Sequence, residues 1–223
     1  MKNTSVSALL DLNHTIARAL FEGKEHPWEV LPELSDWIRA KGAALPADEY
    51  DQIGEDIWIA KDADVAPTAY LNGPLIVDHG AEIRHCAFVR GSAVVGKNAV
   101  VGNSVELKNC VLFDEVQVPH FNYVGDSVLG HRAHMGAGAV TSNVRSDKQN
   151  VVVHAQRDLP TGLRKLGAIL GDRAEVGCNS VLNPGTVLGR DCIVYPTSCV
   201  RGVIPERSIF KNSGAIAPRE ERM

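Results

Sequence analysis

Aromatic residues are scarce: Phe, Tyr and Trp make up 5% of the 223 residues. The core must therefore be aliphatic, and few rings are on hand to stack single-stranded bases. An excess of either charge is lacking too. With 23 Lys and Arg against 27 Asp and Glu the formal charge is −4, and no polybasic run stands out, which disfavours a nucleic-acid partner. No apolar run approaches the ~20 residues of a membrane span, and polar residues break up the N-terminus where a signal peptide needs an apolar stretch. These absences point to a cytoplasmic protein without a membrane partner. The five cysteines, Cys86, Cys110, Cys178, Cys192 and Cys199, include no C-x-x-C pair, which suits reduced thiols better than a disulfide framework or a zinc ribbon.

What is abundant is aliphatic and periodic. Ile59, Val65, Leu71, Val77, Ile83, Val89, Val95, Val101 and Leu107 recur at every sixth position. Four residues after many of them stands a small residue: Ala63, Ala69, Ala81, Ala87, Ala93 and Ala99. A period of six fits neither a 3.6-residue helix nor a long alternating strand. It fits short parallel strands joined by regular corners, three faces to a triangular coil. Gly often follows the aliphatic, as at Gly96 and Gly102, where a corner profits from a missing side chain. The register resumes as Tyr123, Leu129, Met135 and Thr141, and again from Leu170 to Val200, for some seven coils.

Two interruptions stand out. From Phe113 to Tyr123 the step is ten, so Asp114 to Asn122 is expected to bulge as a loop; a second excursion runs from about Ser142 to Gly167. Loops on a rigid scaffold are where chemistry usually sits. Residues 1–52 lack the repeat. Leu9, Leu12, Ile16 and Leu20 lie at helical spacing behind Thr4 and Ser5, and a second helix is expected over Trp28 to Lys41, ended by Gly42 and Pro46. This part is read as a helical cap covering the open end of the first coil. Residues 53–205 form the coil and 206–223 a polar tail.

The aliphatic-Gly-x-x-small-x pattern resembles the hexapeptide repeat of the left-handed parallel β-helix; the handedness comes from that resemblance alone. The segment Val118 to Ser127, V-P-H-F-N-Y-V-G-D-S, with G-A-G at Gly136 to Gly138 and the later Asn143, is more specific. It resembles the C-terminal acetyltransferase domain of the bifunctional N-acetylglucosamine-1-phosphate uridyltransferase and glucosamine-1-phosphate acetyltransferase, and of related archaeal sugar-1-phosphate nucleotidylyltransferases, over about residues 57 to 205. The resemblance implies acetyl-CoA as co-substrate, a hexosamine 1-phosphate as acceptor in nucleotide-sugar synthesis, and a homotrimer. It implies that His120 is the general base and that Glu106 orients it. Tyr123 would touch the sugar phosphate, Asn143 would hold the amine, and a backbone N–H around Ala137 and Gly138 would bind the thioester oxygen. Arg164, Lys165 and Cys178 would line the coenzyme. His134 departs from the family's bacterial pattern, which has Asn there.

Arg90 and Lys108 stand out without any resemblance. Each follows an inward aliphatic and they are 18 residues apart, one complete coil, so they are expected to stack ~4.8 Å apart, a repulsion that a bound phosphate would relieve. The family match makes that phosphate the acceptor's. A zinc site among His79, His85, His120, His131, His134 and His154 is the rival, weakened by the missing His-x4-His pair; no metal is expected. A Gly-rich nucleotide loop and a doubly wound domain do not fit into the residues before the repeat, so pyrophosphorylase chemistry is not expected. The alternative to a free-standing acetyltransferase is a non-catalytic β-helix that partners or regulates a separate nucleotidyltransferase.

Overall fold

The computed structural model describes residues 4–220 and shows a parallel β-helix with an irregular helical layer along one side. The hexad residues point inward and stack on their equivalents in the next coil. Ile59, Val77, Val95, Leu112, Leu129, Leu170, Leu188 and Ile204 form one such column. Eight rungs stack on this first face, eight on the second from Asp64–Val65 to Ser208–Phe210, and seven on the third from Tyr70–Leu71 to Cys199–Val200. Seven coils are thus complete. Most strands are two or three residues long and hold their shape only because the rungs above and below pair them. The corners carry positive-φ residues at regular intervals, among them Asn98, Ser104, Asn109, Glu115, Phe121, Asp126 and Arg132. Short polar side chains tolerate that conformation better than most. Gly102 is needed for a different reason, since a Cβ there would run into the Pro119 carbonyl of the next coil.

The segment Asp114 to Asn122 does not leave the prism. Gln117–His120 is a strand, paired in parallel with Val100–Asn103. The inward series steps from Leu107 to Leu112 and from Val124 to Leu129 by five residues instead of six. In both coils a continuous strand, Glu106–Leu112 and Tyr123–Leu129, carries the third face into the first and bends at Asn109 and Asp126. A frame of fixed sixes loses one residue at each shortened face, which imitates a ten-residue step. Tyr123 accordingly precedes the inward Val124 and points outward, half-buried. The second excursion is present: Val152–His154 and Asp158–Pro160 form an antiparallel hairpin within it.

The helical segment is shorter in its elements than expected and lies elsewhere. It consists of the α-helices Val6–Leu9 and Leu34–Ala43 and the 3-10 turns Leu12–His14, Arg18–Phe21 and Pro27–Val30. Ser5 caps the first by accepting from the Ala8 N–H at 3.3 Å, and Asp11 caps the turn Leu12–His14 by accepting from the Asn13 N–H at 3.1 Å. The layer covers a side of the prism, not its end. On the first face the outward column is as apolar as the inward one: Trp58, Ile76, Val94, Val111, Val128 and Ile169. These residues are buried because Leu34–Ala43 packs across the lower rungs and Pro27–Val30 reaches Tyr123–Leu129. Gly42 lies within its helix, where a Cβ would strike the Trp58 ring. Phe21 meets Phe113 edge to face at 5.5 Å, and buried Asp172 accepts from the Asp11 N–H at 2.9 Å and the His131 N–H at 3.0 Å.

The first coil is closed by the antiparallel strand Tyr50–Gly54 on Ile57–Ala60. At the other end Ser208–Phe210 continues the second face and is covered by antiparallel Ile216–Pro218. The chain beyond residue 205 is therefore structured through Pro218, since Ile209, Phe210 and Ile216 extend the ladder; residues 1–3 and 221–223, ends of the expected cap and tail, lie outside the described residues.

A charge placed in the outward column separates a covering layer from a mere appendage. Val94→Asp puts an unpaired carboxylate under Leu34–Ala43 at a cost on the order of 4 kcal/mol, or roughly 10 °C in Tm for a chain of this size. Limited proteolysis should then cut within residues 5–49 while the β signal in circular dichroism persists. Undiminished protection of that segment would contradict the arrangement.

Candidate active site

His120 ends the strand Gln117–His120 and stands exposed at the corner between the second and third faces. Its neighbours along that edge follow from the register, in which Gln117 lies beside His134 and His134 beside Glu175. Ala137 then stacks on His120 and Cys178 on Ala137. Two hydrogen bonds confirm the stacking: Gly138 N–H donates to the His120 carbonyl at 3.0 Å, and Asn179 N–H to the Ala137 carbonyl at 2.8 Å. The Ala137 N–H has no partner among the described residues. Gly138 adopts φ +72°, and a Cβ there would collide with the Asn179 carboxamide. The corner is fixed from below by Asn122, which the sequence did not flag. This buried side chain accepts from the His120 N–H at 3.2 Å and donates to the carbonyls of Gly136 at 2.8 Å and Ala139 at 3.0 Å.

No hydrogen bond joins Glu106 to His120 among the described residues. Glu106 begins the third face one coil below Tyr123 and accepts from Arg90 at 2.8 Å. That hydrogen bond, with the charge of Glu106, holds the Arg90 guanidinium above its usual range. An orienting role for Glu106 at the imidazole therefore has no geometric support. Arg90 and Lys108 do stack on one edge, since Val89 pairs with Leu107. They do not form a bare two-cation pocket. Lys108 donates to Asp126 at 2.8 Å, so each cation has its own carboxylate, and the repulsion is already relieved.

Asp126 is the hub of this cluster and was legible only as the last letter of H-x-x-Y-x-G-D. Buried at 3% exposure, it accepts from Lys108, from Asn109 at 3.0 Å and from Asn143 at 2.5 Å, while its carbonyl accepts from the Gly167 N–H at 2.8 Å. Asn143 also donates to the Tyr123 hydroxyl at 3.0 Å. The Tyr123 ring leans over Gly125, where a Cβ would meet its hydroxyl. Burial, reinforced by the Asp126 charge, pushes the Tyr123 hydroxyl up from its ordinary range. It stays protonated, accepting from Asn143 with its own proton free to donate.

Arg164 and Lys165 are exposed on the return of the excursion, just before Leu166, whose N–H donates to the Asn143 carbonyl at 3.1 Å. The structure thus places them near Asp126 and Asn143, apart from the edge that carries His120 and Cys178. His85 lies on that edge two coils below His120, with Asn103 between. Among the described residues no group of three or more His, Cys, Asp or Glu is arranged to hold a metal ion, and no helix is long and apolar enough to cross a membrane.

The repeats and the stacked rungs define a hexapeptide-repeat parallel β-helix. The family described as the GMPPB C-terminal domain matches residues 71–159, a stretch that includes Arg90 through Asn143 and stops before Arg164, Lys165 and Cys178. A bifunctional sugar-1-phosphate nucleotidylyltransferase/acetyltransferase from Sulfurisphaera tokodaii is 35% identical over 109 residues, 48% of this chain and 27% of that protein. The bifunctional protein GlmU of Synechococcus elongatus is 31% identical over 154 residues, 69% of this chain and 26% of that one. The chain thus spans about a quarter of the length of these curated relatives. Among solved structures, a variant of perosamine N-acetyltransferase from Caulobacter crescentus with CoA and GDP-perosamine superposes at TM-score 0.35 and 18% identity, covering 72% of this chain and 56% of that one.

The two carboxylates of the cluster should differ sharply in worth. Asp126→Ala strips a part-buried ammonium and two carboxamides of their acceptor and should cost about 2–3 kcal/mol in denaturant unfolding. Glu106→Ala opens a pair that water already screens and should cost far less. Equal losses would show that Asp126 is no hub.

Proposed function

We propose that the chain is an acetyl-CoA-dependent sugar N-acetyltransferase whose acceptor is the amine of a hexosamine 1-phosphate. The observation that supports it most is the edge on which an exposed imidazole, His120, stands directly beside the unpaired N–H of Ala137. In this reading the amine attacks the thioester carbonyl and His120 takes its proton; the Ala137 N–H donates to the oxygen as it gains charge. The coenzyme's thiolate then leaves and regains a proton from the imidazolium. General-base help of this kind is worth roughly 10²–10⁴ in rate, and an aimed donor several kcal/mol. The neutral Tyr123 hydroxyl and the carboxamide of Asn143 bound the acceptor, Arg90 and Lys108 face its phosphate, and Cys178 lines the coenzyme's path. The carboxylate neighbours of the two cations would have to yield to that phosphate. The working assembly in this reading is a cytoplasmic homotrimer, with the coenzyme between neighbouring prisms.

His120→Ala should lower kcat on the order of 10²-fold and leave coenzyme binding almost unchanged; full turnover in a folded variant would remove His120 from the reaction. Arg90→Ala or Lys108→Ala should cost roughly 10- to 100-fold in kcat/KM for the phosphorylated acceptor and far less for the free amino sugar. Light scattering that finds an active monomer would dispose of the trimer.

One observation favours a second reading. The acceptor-side groups satisfy one another, Arg90 with Glu106 and Lys108 with Asp126. A non-catalytic β-helix that partners or regulates a separate nucleotidyltransferase needs no more than that. Absence of acetyl transfer to every amino sugar tried, with a change in a nucleotidyltransferase's rate on mixing, would favour it.

A further inference from the structure

The excursion between Ser142 and Gly167 is a built element. Its hairpin turns Val151 and Val153 into the interior, where both are fully buried, and packs on Thr186–Leu188. Two glycines of the coils make that approach possible. Gly185 and Gly202 have φ of +78° and +82°, and a Cβ on them would lie 3.1 Å from the Val152 carbonyl oxygen and 3.0 Å from that of His154. Between the hairpin and the edge of the last coils lies a cavity of about 300 Å³ lined by Ser142, Arg145, Ser146, His154, Asn183 and Arg201 among others.

The donors of this cavity exceed its acceptors. His154 Nε2 lies 2.9 Å from a terminal nitrogen of Arg201 and its Nδ1 2.8 Å from Asp158. A guanidinium only donates, so Nε2 is the acceptor of that hydrogen bond. His154 holds Arg201 at the cavity through one nitrogen, and the other N–H groups of Arg201 have no partner among the described residues. Arg145 spends Nε and one terminal nitrogen on Asp147, at 3.0 and 2.5 Å, and keeps the other; Asp147 is in turn occupied by Arg145 and the Gln149 N–H at 3.1 Å. The hydroxyls of Ser142 and Ser146 have no hydrogen-bond partner among the described residues. Two guanidiniums and two hydroxyls lining one cavity suit a tetrahedral oxyanion.

We propose that this cavity is an anion site that takes the phosphate group of a small-molecule ligand, bound by Arg201 and Arg145 with Ser142 and Ser146. The site adjoins the acceptor cluster at Ser142, which precedes Asn143, and extends away from it: Arg201 shares an edge with Lys108 but stands four rungs further along, roughly 19 Å at one strand spacing per rung. The site stands whether or not the chain transfers acetyl groups.

Calorimetric titration of the full chain with inorganic phosphate, at constant ionic strength set with sodium chloride, tests it. Phosphate should bind saturably, with one site per chain that requires Arg201 and Arg145. Arg201→Gln and Arg145→Gln should each weaken binding 10-fold or more, Arg201→Lys should weaken it less, and Arg84→Gln on another face should change nothing. Melting curves of the same variants report whether they remain folded, and Arg201→Lys keeps the test open if Arg201→Gln does not. Coenzyme A added to the phosphate-bound chain distinguishes two sources of the same group. Displacement that is lost in Arg201→Gln assigns the phosphate to the coenzyme, and undisturbed phosphate assigns it to another phosphorylated metabolite; both support the site. No saturable phosphate binding by the native chain, or binding indifferent to both Gln variants, overturns it.

Discussion

Vertical pairing of very short strands is the constraint on which everything else depends. A rung such as Val181–Leu182 has no stability of its own; it exists because Val140–Thr141 and Cys199–Val200 hold it from both sides. Each inward aliphatic therefore has to lie over its equivalent, and each corner has to turn in the same way. Side chains one coil apart in sequence become neighbours at strand spacing. This is how His120, Ala137 and Cys178, scattered over 58 positions of the chain, come to share one edge.

The same rule explains what reading the residues recovers. The inward column is written at single positions with a fixed interval, so its meaning survives without knowledge of any contact. Loss of one residue in Glu106–Leu112 and again in Tyr123–Leu129 is invisible to a fixed interval, although aliphatic doublets at Val111-Leu112 and Val128-Leu129 marked the true frame. Those doublets carried a second message. Leu75-Ile76-Val77, Ala93-Val94-Val95 and Ile169-Leu170 put apolar residues on both sides of a strand on one face only, which is the mark of a strand covered outside as well as inside. Seen so, the place of the helical layer was legible.

The candidate site was legible in part, and for a different reason. His120, Tyr123, Ala137 and Asn143 stand in a recognisable string. Their partners do not: Arg90 with Glu106 and Lys108 with Asp126 are joined across coils, 16 and 18 residues apart, by side chains long enough to choose among several carboxylates. A two-cation pocket follows from backbone stacking alone, and only side-chain geometry reveals that acids had been stacked with the bases. Asn122 and Asp126 work from beneath the surface, accepting and donating to backbone and neighbouring side chains, and nothing about an Asn or Asp in a corner announces such a role.

Both ends of the prism finish on a strand that runs against the others, Tyr50–Gly54 on the first face and Ile216–Pro218 on the second. The remaining faces end on strands that run with them. A second copy laid end to end would thus have to offer one polarity to one face and the opposite polarity to its neighbours within the same coil. No uninterrupted coil does this. The mixed polarity gives the molecule a fixed length and keeps its stacked edges from seeding a fibre.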